Sequence, residues 1–117
     1  MPEIIVYNKL GRCIMERTYT IEELRAVLFP VFLTYAVYRA VLFGSYSRGE
    51  ATASSDIDIL IDSKGELVNI GFYGLLEDIT RKLGKSVDLL ELSELQSGSP
   101  IARAIQREGV VLYEKER

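Results

Sequence analysis

The sequence predicts one small α/β (α+β) domain in which a mixed β-sheet is flanked by helices. Three observations support this fold class. Short apolar runs with strand-like alternation recur along the chain, helical patterns of apolar residues separate them, and glycine or proline marks where segments end. The 117 residues are enough for one hydrophobic core but tight for two.

The predicted helices and core strands follow one another without an interdomain linker or an internal repeat. Thr20 and Glu23 have the spacing of a capping box, and they open a predicted helix from about Ile21 to Leu33 that Pro30 should bend. A second helix ends before Gly84, and a third begins at Ser99-Pro100, where serine and proline are favoured. The predicted core strands are Tyr38 to Phe43, Asp56 to Asp62, Ser86 to Leu92 and Val110 to Tyr113.

The first nineteen residues differ from this pattern, and we expect them to form an N-terminal arm or hairpin of unknown role. Glu3 to Tyr7 is rich in β-formers, Asn8 to Gly11 offers turn residues, and Arg12 to Tyr19 alternates weakly. Residues 20–117 then form the main domain.

The composition is that of an ordinary soluble protein, with 48% hydrophobic and 26% charged residues. A net charge of -3 argues against a broad nucleic-acid-binding surface, so we expect no direct nucleic-acid partner. Because no segment resembles a secretory signal or a membrane span, we expect a cytoplasmic (prokaryotic) protein without a membrane partner. Cys13 is the single cysteine, which excludes an internal disulfide and fits a reducing compartment.

The segment from Gly44 to Asp62, GSYSRGEATASSDIDILID, carries the strongest functional signal. Gly44-Ser45 follows an apolar strand, where a glycine admits a phosphate closely and a short helical turn offers N–H donors beside the Ser45 hydroxyl. Ten residues later come Asp56 and Asp58, which strand alternation places on one face. Asp88, on the next predicted strand, is a third acid that could reach the same crevice.

These residue types suit the transfer of a phosphoryl group. Two carboxylates on one strand face can bridge one or two hard cations that neutralise a triphosphate. A third carboxylate can complete the site or accept the proton of an attacking hydroxyl. Since the chain has no histidine, any metal ion must be held by oxygen ligands, which favours magnesium or manganese.

Each part of the pattern also has an ordinary structural explanation, and only the conjunction favours a site. An Asp-x-Asp pair is usually a solvated strand face, and Gly-Ser pairs are frequent in turns. We expect Asp62 to be a strand-end acid near a turn, and Arg48 is equally suited to bind a phosphate or to pair with Glu50 or another acid. Four tyrosines are expected to pack rather than to act as acceptors: Tyr35, Tyr38, Tyr46 and Tyr73.

At these residues the chain resembles the minimal nucleotidyltransferases of the polymerase-β superfamily. Their signature is Gly-Ser, a spacer of about ten residues and Asp-x-Asp, which here reads Gly44-Ser45 and Asp56-Ile57-Asp58. SVDLLEL, which contains Asp88, is similar to the third-acid strand of that family, and IARAIQREGVVLYE is similar to its C-terminal segment. The likeness covers roughly Thr20 to Glu114.

The resemblance implies a nucleotidyltransferase fold, ATP as substrate and Mg²⁺, in two ions, as cofactor. It implies that Asp56, Asp58 and Asp88 are the metal ligands and catalytic residues, with Asp88 also as base. It further implies that Gly44 and Ser45 bind the phosphates. Many members are MntA-type antitoxins encoded beside a HEPN-domain ribonuclease toxin, so the implied reaction transfers AMP from ATP to a tyrosine hydroxyl of that partner. The sequence leaves open whether the chain forms a homo- or hetero-oligomer.

Two other functions stay open from the sequence. The chain could be a non-catalytic binding module that neutralises its partner by steric capping. It could also modify an antibiotic together with a separate subunit, because the sequence has no room for the helical domain that antibiotic nucleotidyltransferases add.

Overall fold

The structure, a computed structural model, describes residues 4–7, 13–16 and 18–115. Its helices are α1 (Ile21–Thr34), α2 (Ile70–Leu83) and α3 (Pro100–Glu108). Its strands are β1 (Ile4–Tyr7), β2 (Cys13–Glu16), β3 (Arg39–Phe43), β4 (Ile57–Asp62), β5 (Val87–Glu91) and β6 (Val110–Glu114). Among the described residues, no helix is long and apolar enough to cross a membrane.

The main sheet has four strands in the order β5-β4-β3-β6. β3 runs antiparallel to both β4 and β6, whereas β4 and β5 are parallel and α2 makes the crossover between them. The register aligns Phe43 with Asp58 and Asp58 with Asp88 across three neighbouring strands. The prediction of a small mixed sheet flanked by helices is therefore confirmed.

The side chains of strand β4 alternate between the two faces of this sheet. Ile57, Ile59 and Ile61 are fully buried in the main core with side chains of α1 and α2. Each such isoleucine stabilises the fold by about 2 kcal/mol. On the opposite face, Leu60 packs in a smaller cluster that includes Ile105 of α3. Asp58 shares that second face, so the core fixes the direction in which its carboxyl points.

Local sequence signals explain where the helices begin and end. Thr20 and Glu23 form the predicted capping box with bonds of 3.0 and 2.9 Å, and α1 continues past Pro30 to Thr34. α2 ends at Gly84, whose positive φ of 64° closes the last turn. Ser99 caps α3 by accepting the Ala102 N–H at 3.2 Å.

The two N-terminal strands form a separate antiparallel pair. Their register runs from Ile4 opposite Glu16 to Tyr7 opposite Cys13. The turn predicted at residues 8–11 lies outside the described residues. Tyr19 is buried in the main core, and its hydroxyl donates to the Leu83 carbonyl at 2.6 Å. The division of the chain between residues 19 and 20 stays a prediction.

Candidate active site

The Gly-Ser turn begins directly at the end of β3. Gly44 has φ +76°, and its carbonyl accepts the Ser47 N–H at 3.1 Å, the Ser47 hydroxyl at 2.8 Å and the Arg48 N–H at 3.2 Å. These bonds close one short 3₁₀ turn, Gly44–Tyr46, where the sequence predicted a helical turn over residues 45–50. Tyr46 is buried in the main core and anchors the turn. The backbone therefore changes direction sharply at the edge of the sheet.

Gly44 is required here for a second reason besides its backbone angle. A methyl group at this position would overlap Asp58 Oδ2 and lie 3.2 Å from Asp58 Cγ. The Asp58 carboxyl thus lies directly against the turn, in space that any other residue would fill. This contact joins the two halves of the sequence motif.

The Asp58 carboxyl also meets Asp88 on the neighbouring parallel strand. Burial, a hydrogen bond with Asp88 and the negative charges of Asp88 and Asp56 raise the pKa of Asp58 from 3.8 to about 6, while the Arg48 charge opposes them. Asp58 is half-buried, whereas Asp56 and Asp88 are exposed. Carboxyls placed this closely favour either a shared proton or a cation between them.

The structure therefore brings Gly44, Asp58 and Asp88 together, with Asp56 near enough for its charge to act on Asp58. It does not draw all three acids into one ligand set. In the described part of the chain, no three Asp, Glu, Cys or His side chains are grouped so that they could hold a metal ion as they stand. Mutual repulsion among the carboxylates opposes such a grouping.

The chemistry of these residues nevertheless fits a magnesium ion. The donors are all carboxylate oxygens, which Mg²⁺ prefers. The raised pKa of Asp58 reflects a partly desolvated cluster of like charges, which a divalent cation would stabilise. Asp56, Asp58 and Asp88 are the side chains that could hold it.

Other residues singled out from the sequence have structural partners. Asp62 Oδ1 accepts the Lys64 N–H at 3.0 Å, as expected of a strand-end acid near a turn. Arg48, for which two roles were open, pairs with Glu50 and Glu108. Tyr46 is buried as expected, whereas Tyr73 is 67% exposed at the start of α2, where its ring packs edge-on against Phe72.

Two residues of this region carried no signal in the sequence. Glu108 pairs with Arg48 from a position sixty residues away. Lys85 is only 7% exposed, and its ammonium group donates to the Ala53 carbonyl at 2.5 Å, which holds the spacer loop before Asp56. Both contacts depend on how the sheet brings distant segments together, so spacing along the chain could not reveal them.

Two concave surface regions lie elsewhere, along α1. One, of about 350 Å³, is lined by Pro30, Thr34, Tyr35 and Arg81 among others, and another, of about 450 Å³, includes Phe29 and Leu33. Neither includes an acid of the site. We assign the site by its chemistry, because a triphosphate held through metal ions and a turn does not require an enclosed pocket.

The fold and the acids beside a Gly-Ser turn define a nucleotidyltransferase, and comparison with known proteins agrees. Residues 29–117 match the family model described as polymerase beta, nucleotidyltransferase, and the chain belongs to this family of enzymes. The resemblance noted in the sequence is thereby confirmed.

A curated relative is similar to this chain over most of its length. The protein adenylyltransferase MntA of Thermococcus cleftensis is 38% identical over 95 residues, which are 78% of this chain and 94% of the relative.

Solved structures share the fold. A chain in a crystal structure of a toxin–antitoxin pair with AMP-PNP matches with a TM-score of 0.67 at 24% identity, over 79% of this chain and 74% of that one. A chain in the complex of tri-AMPylated Shewanella oneidensis HEPN toxin with MNT antitoxin matches with a TM-score of 0.63 at 21% identity, over 82% and 74%.

Proposed function

We propose that this enzyme transfers AMP from ATP, with Mg²⁺, to a tyrosine hydroxyl of a HEPN-domain toxin and thereby acts as its antitoxin. The observation that carries the proposal is the Asp58 carboxyl, which packs against Gly44 and lies opposite Asp88 in the register of β4 and β5. It places acids beside a turn suited to phosphates, which is the arrangement that nucleotidyl transfer requires.

The choice of a protein acceptor is supported by the relatives. The Thermococcus cleftensis relative is a protein adenylyltransferase and covers most of both chains. Of the structural neighbours, one pair contains AMP-PNP and one complex contains an AMPylated HEPN toxin. These relatives support a protein as acceptor and a HEPN-domain protein as partner.

In the proposed mechanism, the turn at Gly44 and Ser45 receives the triphosphate and orients its α-phosphorus. Asp56, Asp58 and Asp88 would hold Mg²⁺, which neutralises charge on the triphosphate when bound. The acceptor oxygen attacks the α-phosphorus, a new P–O bond to AMP forms, and the bond to the leaving pyrophosphate breaks. Asp88, which is more exposed than Asp58, takes the hydroxyl proton.

The test is intact-mass spectrometry of a HEPN-domain protein encoded next to this chain, after incubation with the chain, Mg²⁺ and ATP. We expect a mass gain of one or more AMP units, absent with the Asp56→Ala, Asp58→Ala variant. The matched control is Asp62→Ala, which removes a carboxyl from the same strand but from its other end, where it bonds only the local turn. That variant should retain transfer.

A partner that gains no mass while still forming a stable complex would contradict the proposal and favour steric capping. In that case the Asp56→Ala, Asp58→Ala variant should still neutralise the toxin in cells. If transfer is seen instead, tyrosine-to-phenylalanine variants of the partner identify the acceptor residue.

A further inference from the structure

Arg48 connects the Gly-Ser turn to the end of α3. Its Nη1 lies 3.1 Å from both carboxylate oxygens of Glu108, and its Nε lies 2.5 Å from Glu50 Oε1. The Glu108 side chain is only 13% exposed, and that of Arg48 is 44% exposed. An exposed ion pair contributes little by itself, but an arginine shared between two carboxylates has a more fixed geometry. We call these three side chains the Arg48 clamp.

Glu108 is a firm anchor because the end of α3 packs tightly on β3. A methyl group at Gly109 would lie 2.8 Å from Val41 Cγ1 and 2.5 Å from the Ile105 carbonyl oxygen, so only glycine allows this approach. Ile105 packs in the cluster that contains Val41 and Phe43, the last residue before the turn. The position of Glu108 relative to the end of β3 is therefore set by close packing.

On the other side, Arg48 belongs to the turn itself. Its backbone N–H donates to the Gly44 carbonyl at 3.2 Å, and the backbone N–H of Glu50 donates to the Ser45 carbonyl at 2.9 Å. When the Arg48 side chain is held in place, the backbone that bonds to the Gly44 and Ser45 carbonyls is therefore restrained as well.

On the basis of the proposed function, we propose that Arg48 is a positioning residue, which uses Glu108 to hold the Gly44–Ser45 turn in the conformation that receives the nucleotide phosphates. Its guanidinium group is occupied by two carboxylates, and the three side chains together carry a net charge of about -1. Such a group does not attract a triphosphate, so we assign Arg48 no direct phosphate contact.

The effect of Glu108→Gln on nucleotide affinity distinguishes positioning from direct binding by its sign. If Arg48 bound phosphate directly, removal of the competing Glu108 charge would release it and tighten binding. If Arg48 positions the turn through Glu108, the same substitution weakens nucleotide binding. We expect the dissociation constant for Mg-AMP-PNP, measured by calorimetry, to rise about fivefold, within the range of a partly exposed charged hydrogen bond. Unchanged or tighter binding by a folded Glu108→Gln variant overturns the proposal.

A double-mutant cycle gives the second readout. Arg48→Gln and Glu108→Gln should each weaken binding about fivefold, and the double variant should be no weaker than the worse single variant, because all three lack the same contact. In transfer assays the loss should fall on the KM for ATP and spare kcat. Independent, multiplying effects contradict the clamp. Arg81→Gln removes an exposed Arg81–Glu77 pair of similar length on α2 and should leave affinity unchanged.

This design separates the clamp from the proposed function. Binding of Mg-AMP-PNP requires no acceptor protein, so a chain that binds the nucleotide but transfers no AMP contradicts the proposed function and still decides the clamp. A wild-type chain that binds no nucleotide rules out both. Thermal unfolding of each variant confirms that the affinities refer to folded protein.

Discussion

Strand β5 carries two acids that differ in every respect except their charge. Asp88 is exposed on one face, where its negative charge and that of Asp56 both act on the Asp58 carboxyl. Glu91 is 4% exposed on the opposite face, where it accepts the Ser63 N–H at 3.2 Å and the Ser63 hydroxyl at 2.8 Å. Ser63 in turn accepts the Leu67 N–H at 3.1 Å. The first acid is placed among like charges and the second among donors.

This contrast separates a functional group from a structural one. A buried acid surrounded by donors stabilises a fold, because its hydrogen bonds replace those it made with water. Acids that face one another destabilise it, so they persist where a ligand gives them a role. Asp88 should therefore affect activity without supporting stability, and Glu91 should do the reverse.

The largest expected effect comes from Asp88→Asn. It removes the proposed base and metal-ligand charge while preserving size, and general-base removal alone lowers rates by roughly 10² to 10⁴. We expect transfer to fall about a thousandfold, as followed by mass spectrometry over time. The melting temperature without metal should stay level or rise, because Asp58 loses a repelling neighbour. A marked loss of stability would place Asp88 with the structural acids instead.

Gly44→Ala should disturb both properties. Alanine at φ +76° is strained by about 1–2 kcal/mol, and its methyl group must also displace the Asp58 carboxyl, which adds about 1–3 kcal/mol. We expect a loss of about 2–5 kcal/mol in urea unfolding together with a severe loss of transfer.

Gly65→Ala is the matched control for that change. Gly65 has the same φ of +76°, but an added methyl group there would meet nothing within 4 Å. It should show the strain alone and keep activity. Equal losses of transfer in the two variants would mean that contact with Asp58 is irrelevant.

The role of Asp88 was easier to predict from the sequence than the role of Glu91. Strand alternation correctly placed Asp58 on the face of β4 opposite the buried isoleucines, and the Gly-Ser pair follows β3 as the sequence predicted. On β5, Glu91 has the same strand parity as Val87 and Leu89 and the opposite parity to Asp88. The donor that makes its burial tolerable, Ser63, comes from a different strand end and is specified only by the register.

Contacts between segments that are distant in the sequence could not in general be predicted from it. Arg48 could not be assigned from spacing, since its partner Glu108 depends on the packing of α3 against β3. The three acids gave a different limit, because they share a face by pattern yet do not form a ready set of metal ligands among the described residues. Patterns determine which face a side chain occupies, whereas electrostatics determines how closely like charges approach.

Glu91→Ala tests the structural acid. It leaves the Ser63 N–H and hydroxyl buried without their acceptor, which costs about 1–3 kcal/mol. We expect a loss of about 2 kcal/mol in urea unfolding, with transfer per folded molecule unchanged below the melting temperature. Glu94→Ala, an exposed acid in the turn after β5, should be neutral in both assays. Lost transfer with unchanged stability would move Glu91 into the site.

The smallest expected effect is a pH dependence of stability that arises at the acid cluster. Asp58 has a folded-state pKa of about 6 against an ordinary value of 3.8, so its protonated form favours the folded state. The stability that it contributes is complete below about pH 3.8 and is lost as the pH rises through 6. The full difference corresponds to roughly 3 kcal/mol, which solvent screening of this partly exposed carboxyl reduces to about 1 kcal/mol.

Without metal, wild type should therefore lose about 1 kcal/mol relative to Asp58→Asn between pH 4 and 7.5 in urea unfolding. Added Mg²⁺ should reverse the loss at pH 7.5 in wild type alone, because a cation favours the ionised cluster that repulsion disfavours. Parallel curves for the two proteins would mean that Asp58 does not experience its neighbours' charge, and the distinction between the two kinds of acid would then rest on burial alone.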